Sequence, residues 1–158
     1  MIADAEAPPR KRILAVASGG GHWVQLLRTM PAFSEHSVVY VTVNRAYRCD
    51  VNSNSQFHVI NDATRWNKFG LLKMALRLML IILRVRPHVI ISTGAAPGYF
   101  AIRMGKLMGA KTIWIDSMAN VEELSMSGRR IGPHADLWLT QWPHLARPDG
   151  PHYKGAVL

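Results

Sequence analysis

The sequence contains a single cysteine, Cys49, among 158 residues. An internal disulfide is therefore excluded, and this cysteine usage fits a reducing compartment. Residues 1–12 lack the apolar segment of a secretory signal, and we expect them to form a flexible basic lead-in to the fold. No pair among the seven histidines has the spacing of zinc ligands, so no metal site is predicted.

Acidic residues are missing from the whole stretch between Asp62 and Asp116. This stretch carries nine basic residues: Arg65, Lys68, Lys73, Arg77, Arg84, Arg86, Arg103, Lys106 and Lys111. The rest of the chain sums to zero, so the formal net charge of +9 comes from this region alone. A local positive field implies an anionic partner, such as a phosphorylated substrate or an anionic lipid surface. Nucleic acid is not expected as a partner, because no aromatic stacking motif accompanies the basic residues.

Apolar runs alternate with amphipathic segments along the chain. Strands are predicted at residues 13–17, 38–43, 57–60, 88–92, 111–116 and 137–140, and helices at 67–86 and 99–108. Continuously apolar strands that alternate with helices are typical of a parallel sheet covered on both faces. The predicted fold class is therefore α/β, with one Rossmann-like domain over residues 13–158.

A glycine loop, Ser18-Gly19-Gly20-Gly21-His22, connects the first predicted strand to a helical pattern. Glycines allow the backbone to approach a ligand closely, and the free N–H groups at a helix start favour an anion. A histidine in the first turn is placed to move a proton, so His22 is the candidate catalytic residue. The alternative is a tight structural turn with a helix-capping histidine, since the loop matches neither the dinucleotide fingerprint nor the Walker pattern.

Two further segments follow strands, at the sheet edge where ligands bind in open parallel sheets. They are the small-residue loop Thr93-Gly94-Ala95-Ala96-Pro97-Gly98 and the end of the fifth strand, Asp116. We expect Thr93, Gly94, Gly98 and Asp116 to bind substrate in one cleft with Gly19, Gly20 and Gly21. The alternatives are ordinary strand–helix packing for the second loop and capping of the next segment for Asp116.

The predicted helix 67–86 carries ordered charges. Its longest uncharged run is the six residues Leu78–Leu83, far short of the roughly 20 that span a bilayer. Lys73, Arg77 and Arg84 fall within about 40° of each other on a helical wheel, beside a wide apolar face. This arrangement predicts membrane contact through Lys73, Arg77 and Arg84, as in a helix that lies in the membrane interface. A sheet-covering helix with a solvated charged edge is the alternative.

Several short motifs occur together in a specific order. They are the 18–22 loop, Ile91-Ser92-Thr93-Gly94, Ile115-Asp116-Ser117, Ala135-Asp136-Leu137 with Gln141-Trp142, and the tail Tyr153-Lys154-Gly155-Ala156-Val157-Leu158. In this combination the sequence resembles the bacterial polysaccharide-biosynthesis subunits related to asparagine-linked glycosylation protein fourteen, from about Ile13 to the last residue. A more distant likeness exists to the N-terminal half of the murein glycosyltransferase that makes lipid II.

The resemblance implies a GT-B glycosyltransferase divided between two chains. This chain would supply the N-terminal, acceptor-side half, as a peripheral protein on the cytoplasmic face of the cell membrane, and a separate subunit would bind the UDP-sugar. The expected reaction is inverting transfer of a sugar to a lipid-linked acceptor in polysaccharide or exopolysaccharide biosynthesis, with no cofactor beyond the donor. By the same resemblance, Gly19 to His22 lie near the phosphates of acceptor and donor, and Thr93, Gly94 and Gly98 form the second loop. The length agrees, because one Rossmann-like domain fits in it and a complete GT-B enzyme needs two.

Two other classes of function remain open at this point. The chain is also compatible with a non-catalytic accessory subunit that anchors and stimulates a separate transferase. It is compatible, too, with a stand-alone Rossmann-like protein that binds a nucleotide by itself.

Overall fold

The computed structural model describes residues 9–64 and 66–157. Most of the predicted lead-in therefore lies outside the described residues, as does Arg65 of the basic region. The described part of the lead-in already enters the fold, because Arg12 begins the first strand and its guanidinium donates hydrogen bonds to the carbonyl oxygens of Val85 and Arg86.

The described residues form one parallel sheet. Its strands are β1 (Arg12–Val16), β2 (Ser37–Thr42), β3 (Gln56–Val59), β4 (Val89–Ser92), β5 (Lys111–Ile115), β6 (Leu137–Thr140) and β7 (His152–Tyr153). Their spatial order is β3-β2-β1-β4-β5-β6-β7, and every neighbouring pair is parallel. The strand order reverses between β1 and β4. Beyond the carboxyl ends of these two strands lies the crevice where open α/β sheets bind their ligands.

Helices cover both faces of the sheet. They are α1 (Gly21–Thr29), α2 (Lys68–Val85), α3 (Ala95–Leu107) and α4 (Met126–Ile131). Alternate residues of β1 point to opposite faces, so Leu14 belongs to the core beneath α2 and α3, whereas Ile13 belongs to the core beneath α1. The predicted α/β fold, a Rossmann-like parallel sheet with helices on both faces, is confirmed.

The structure differs from the predicted elements in several places. Helix α3 begins at Ala95 rather than at residue 99, because Pro97 falls in its first turn, where a missing N–H group breaks no helical hydrogen bond. The polar segment after β2 contains a 3-10 helix, Arg45–Asp50. Helix α4 and strand β7 are additional, and the two exposed residues of β7 offer no apolar run that would predict a strand.

The two faces are covered unequally. Helices α2, α3 and α4 pack on one face, whereas the other is packed mainly by α1. Over β5 and β6 this second face forms an apolar groove of about 390 Å³, lined by Ile113, Ile115, Leu137, Leu139 and the tail segment 154–157. We call it the α1-side groove.

Candidate functional site

The glycine loop adopts a conformation that requires glycine. Gly20 has φ 61° and ψ −134°, a combination that side chains disfavour, and its N–H group donates a 2.8 Å hydrogen bond to the Tyr47 hydroxyl. The Tyr47 ring stacks on Trp23, with 5.2 Å between the ring centroids, and the Trp23 indole donates to Asp50. The 3-10 helix after β2 therefore supports the loop, and it does so through Tyr47, which the sequence analysis missed.

His22 joins the two predicted loops. Its Nδ1 lies 2.9 Å from the carbonyl oxygen of Thr93, and the Thr93 hydroxyl donates a 2.6 Å hydrogen bond to the carbonyl oxygen of His22. A carbonyl oxygen can only accept, so Nδ1 carries the proton in this hydrogen bond. In the neutral ring, Nε2 is then the unprotonated nitrogen, which is the arrangement that a general base needs.

Gly94 makes room for the His22 ring. Its φ of 138° lies in the region reserved for glycine, and a Cβ atom built there would stand 2.6 Å from His22 Cε1. Gly94 also begins α3 as its N-cap. The same residue thus sets the start of a helix and the position of the imidazole.

Two helix N-termini meet at this crevice. The N-caps of α1 and α3 are Gly20 and Gly94, and neither helix has a side-chain cap or an acidic residue in its first turn. Their first N–H groups, together with the positive ends of the two helix dipoles, favour an anion such as a phosphate. Gly20 and Gly21 are exposed and His22 is half-buried, so the site is open to a ligand. Among residues 9–64 and 66–157 no cluster of three or more potential metal ligands occurs.

Three of the predicted substrate-binding residues, Thr93, Gly98 and Asp116, are buried in the protein. Thr93 is fully buried and bound to His22, as described above. Gly98 lies within α3, where a Cβ atom would overlap the Ser92 hydroxyl at 1.9 Å. Asp116 is 2% exposed, and its carboxylate accepts hydrogen bonds from the backbone N–H groups of Ser117 and Ser125. These residues hold the walls of the crevice in place, and their contact with substrate stays a prediction.

A buried amide network connects the His22 helix to the rest of the sheet edge. Gln25, one turn after His22, accepts hydrogen bonds from Met118 N and from Gln141 Nε2. Gln141 in turn accepts from the N–H group of Val157 in the tail. The role of Gln25 could not be recognised from the sequence, because a glutamine within a helical pattern more often faces solvent.

The surface of α2 matches the predicted pattern of apolar and basic residues. Lys73, Arg77 and Arg84 are exposed. The outermost line of the helix is formed by the apolar strip, which we define as Phe69, Leu72, Leu76, Leu80 and Leu83, each 50% to 88% exposed. Near the end of α3, Leu107 is 82% exposed. None of the described helices combines the length and the apolar character that crossing a membrane demands.

Comparison with known proteins identifies related sequences. The model of the family described as oligosaccharide biosynthesis protein Alg14 like matches residues 60–157. A Yarrowia lipolytica protein named UDP-N-acetylglucosamine transferase subunit ALG14 is 28% identical over 166 residues, which cover 86% of this chain and 75% of that protein. The human protein of the same name is 25% identical over 181 residues, which cover 92% of this chain and 82% of the human one.

Solved structures share the fold at low sequence identity. MurG from Acinetobacter baumannii superimposes with a TM-score of 0.73 at 13% identity, over 92% of this chain. UDP-N-acetylglucosamine 2-epimerase from Rickettsia bellii superimposes with a TM-score of 0.70 at 11% identity, over 94% of this chain. The chain spans 45% of the length of this MurG and 46% of this epimerase, so the likeness extends to about half of each.

Proposed function

The chain belongs to the Alg14 family of oligosaccharide-biosynthesis proteins, and from this premise we propose its role in sugar transfer. It is a glycosyltransferase subunit, and it forms the acceptor-side half of a two-chain inverting enzyme. The enzyme moves a sugar from a UDP-sugar to a lipid-linked acceptor in polysaccharide biosynthesis. The observation that carries the proposal is the crevice between β1 and β4, where an imidazole with a defined tautomer stands between two uncapped helix N-termini.

His22 is the proposed general base. Its Nε2 removes the proton from the acceptor hydroxyl while the hydroxyl oxygen attacks the anomeric carbon of the donor from the face opposite the leaving group. The bond between the sugar and the diphosphate breaks, and UDP leaves with the electron pair. The Thr93 carbonyl accepts from Nδ1–H throughout, so it stabilises the imidazolium that forms.

The helix N-termini are proposed to neutralise phosphate charge. Free N–H groups at the starts of α1 and α3 can donate to the diphosphate of the donor or of the lipid-linked acceptor. Gly20 N–H is engaged by Tyr47, so this role falls to the N–H groups that follow it in α1. Backbone donors and helix dipoles supply the charge stabilisation, and the proposal therefore needs no cofactor.

A second subunit is proposed to bind most of the UDP-sugar. The crevice is open on the side of the exposed Gly20 and Gly21, and the α1-side groove leaves apolar sheet residues without a covering helix. Parallel sheets are normally covered on both faces, so a partner that packs there would complete the layer. The relatives' name, transferase subunit, agrees with a chain that works within an assembly.

Peripheral membrane association is proposed through α2. The apolar strip lies outermost, with Lys73, Arg77 and Arg84 along one flank. Such a helix can bury apolar side chains at the headgroup boundary while its cations contact anionic lipids. We place this surface on the cytoplasmic face of the cell membrane, where a lipid-linked acceptor would be within reach of the crevice.

The proposal is tested by reconstitution. The chain is co-expressed with the product of the neighbouring gene, the complex is purified, and transfer from UDP-N-acetylglucosamine and other UDP-sugars to a lipid-linked acceptor is measured. We expect transfer only when both chains are present. A partner that is fully active alone and merely stimulated would favour an accessory role. Tight binding of a UDP-sugar by this chain alone would favour a stand-alone nucleotide-binding protein.

A further inference from the structure

We propose that Arg77, Arg84 and His58 form a binding subsite for the phosphate of an anionic phospholipid headgroup. The subsite lies in a groove between α2 and the edge strand β3, which we call the β3 groove. This inference rests on the proposed membrane association of α2 and adds to it a defined position for one lipid phosphate. It is separate from the crevice that holds His22, which lies at the ends of β1 and β4.

The β3 groove is large, and the described residues that line it include no acidic group. Its volume is about 770 Å³, and its lining runs from α2 to the first residues of β1, β2 and β3. Arg77 and Arg84 line the α2 side, and His58 lines the β3 side. Among the described residues, no carboxylate lines the groove, so a bound phosphate would meet cations and neutral groups there.

Two of the three arginines that line the groove, Arg77 and Arg84, have no partner among the described residues. Among the described residues, the ion pairs involve Lys106, Lys111 and Arg129, and neither Arg77 nor Arg84 has an ion pair or hydrogen bond. Arg12 also lines the groove, but its guanidinium is bound to backbone carbonyl oxygens. Two guanidinium groups therefore remain for a ligand, and their planar donors match the oxygens of a phosphate.

His58 gives independent support. Its Nε2 atom is buried and has no hydrogen-bond partner among the described residues. Burial, followed by the charges of Arg84 and Arg77, lowers the pKa of His58, so both arginines act on this ring. A phosphate in the groove would lie near this ring and would reduce that repulsion.

The position of Leu80 identifies a lipid as the source of the phosphate. Leu80 lies in the apolar strip, where it is 66% exposed, and it also lines the β3 groove. A headgroup phosphate in the groove would therefore have acyl chains next to the apolar strip. A soluble phosphate would use the same cations without using Leu80, and it is the alternative that the experiment must separate.

The first measurement is vesicle partitioning of the full chain. Vesicles of phosphatidylcholine with and without phosphatidylglycerol are compared for the wild type, for Arg77→Gln/Arg84→Gln and for the control Lys68→Gln/Arg103→Gln. The control removes two exposed charges from the same basic region, but neither residue lines the groove. Two such charges account for up to about a thirtyfold loss of binding to anionic vesicles. We expect the groove variant to lose at least about tenfold more than the control, and equal losses would overturn the subsite.

The second measurement follows the His58 ring by NMR. Short-chain phosphatidylglycerol below its micellar concentration should shift the ring resonances in a saturable manner, whereas short-chain phosphatidylcholine should shift them much less. Arg77→Lys/Arg84→Lys keeps the charge and should weaken this binding about tenfold, because lysine loses the two-pronged geometry. Inorganic phosphate that saturates the site as tightly as the lipid would assign it to a soluble anion and overturn the proposal.

The two levels of the proposal fail in different ways. If the wild type does not bind anionic vesicles at all, the membrane association of α2 is wrong, and the subsite is wrong with it. If the wild type binds and the groove variant behaves like its control, only the subsite is wrong.

Discussion

The crevice between β1 and β4 and the outer surface of α2 are both suited to anions, but they reach this property differently. In the crevice the positive potential comes from backbone N–H groups at the starts of α1 and α3, and glycines hold its geometry. On α2 it comes from long side chains such as Arg77 and Arg84, which have no ion-pair partner among the described residues. The two regions therefore suit different proposed roles. Rigid backbone donors suit a reaction that needs precise geometry, and flexible arginine side chains suit a membrane surface whose headgroups move.

The strongest test of the crevice is His22→Ala. Removing the general base should lower transfer by about 10²–10⁴-fold, while the complex with the donor-binding chain stays intact. The measurement is the rate of transfer to the lipid-linked acceptor, together with co-purification of the two chains. His88→Ala is the matched control, because His88 Nδ1 also bonds a backbone group, the N–H of Arg12, but at the opposite end of the sheet. Full activity of His22→Ala would remove His22 from the mechanism.

The next largest effect is expected at Gly94, through the position of His22. A Cβ atom at residue 94 would stand 2.6 Å from His22 Cε1, so Gly94→Ala must displace the ring. A displacement of about 1 Å can reduce transfer by about 10²-fold. Gly109→Ala is the control, because Gly109 also has a positive φ, 83°, but has open space around its Cβ position. Both variants should lose stability in thermal unfolding, by roughly 1–3 kcal/mol. Equal transfer by the two variants would contradict a precise role for the ring position.

How much of the crevice could be predicted depends on the distance along the chain over which its parts interact. The loops at Gly19–His22 and Thr93–Gly94 each follow an apolar strand, and general rules for parallel sheets place them at one edge. The support from Tyr47 could not be predicted in this way, since Tyr47 lies in a polar segment that resembles an ordinary loop. Gln25 and Gln141 meet across 116 positions, and no local pattern distinguishes a buried amide from an exposed one.

For α2, the sequence predicts the helix itself, but it does not predict which of its apolar residues are buried. The periodicity of Leu72, Leu76 and Leu83 predicts a helix, and the helix bounds agree to within a residue at each end. The periodicity alone could not say which of the apolar residues would be buried, because the helix is apolar around most of its circumference. Packing decides it: Met74 and Leu78 are fully buried, and Leu76, between them, is 58% exposed.

An intermediate effect is expected from the apolar strip. Leu76→Ser should weaken binding to vesicles about tenfold, because it removes apolar area that would enter the headgroup boundary. The measurement is partitioning to phosphatidylglycerol vesicles at fixed salt. Val24→Ser is the control, since Val24 is 47% exposed on α1, which packs on the other face of the sheet. Equal losses in the two variants would mean that α2 has no special relation to the membrane.

The smallest effect concerns the part of the basic region whose charges are already paired. Asp136 accepts hydrogen bonds from the backbone N–H and the hydroxyl of Thr112, and it pairs with Lys106 at 2.6 Å. The hydrogen bond from Lys106 is the main reason why the pKa of Asp136 is lowered to about 2. Asp136→Asn should therefore lower the free energy of unfolding by roughly 1 kcal/mol near neutral pH.

The difference in the free energy of unfolding between wild type and Asp136→Asn should depend on pH. The unfolded chain binds the proton at the ordinary pKa of 3.8 and the folded chain only near 2, so the carboxylate stabilises the fold fully above the first value. The gap between wild type and Asp136→Asn should be constant above about pH 5 and should shrink as the pH falls toward 2. Denaturant unfolding across this pH range measures the difference in free energy of unfolding. Glu123→Gln is the control, because the pair of Glu123 with Arg129 is exposed and should contribute less than about 0.5 kcal/mol. If both variants lose the same stability, the ion pair of Asp136 is no stronger than an ion pair at the exposed surface. The difference between paired and unpaired cations would then not explain the proposed availability of Arg77 and Arg84 for a lipid.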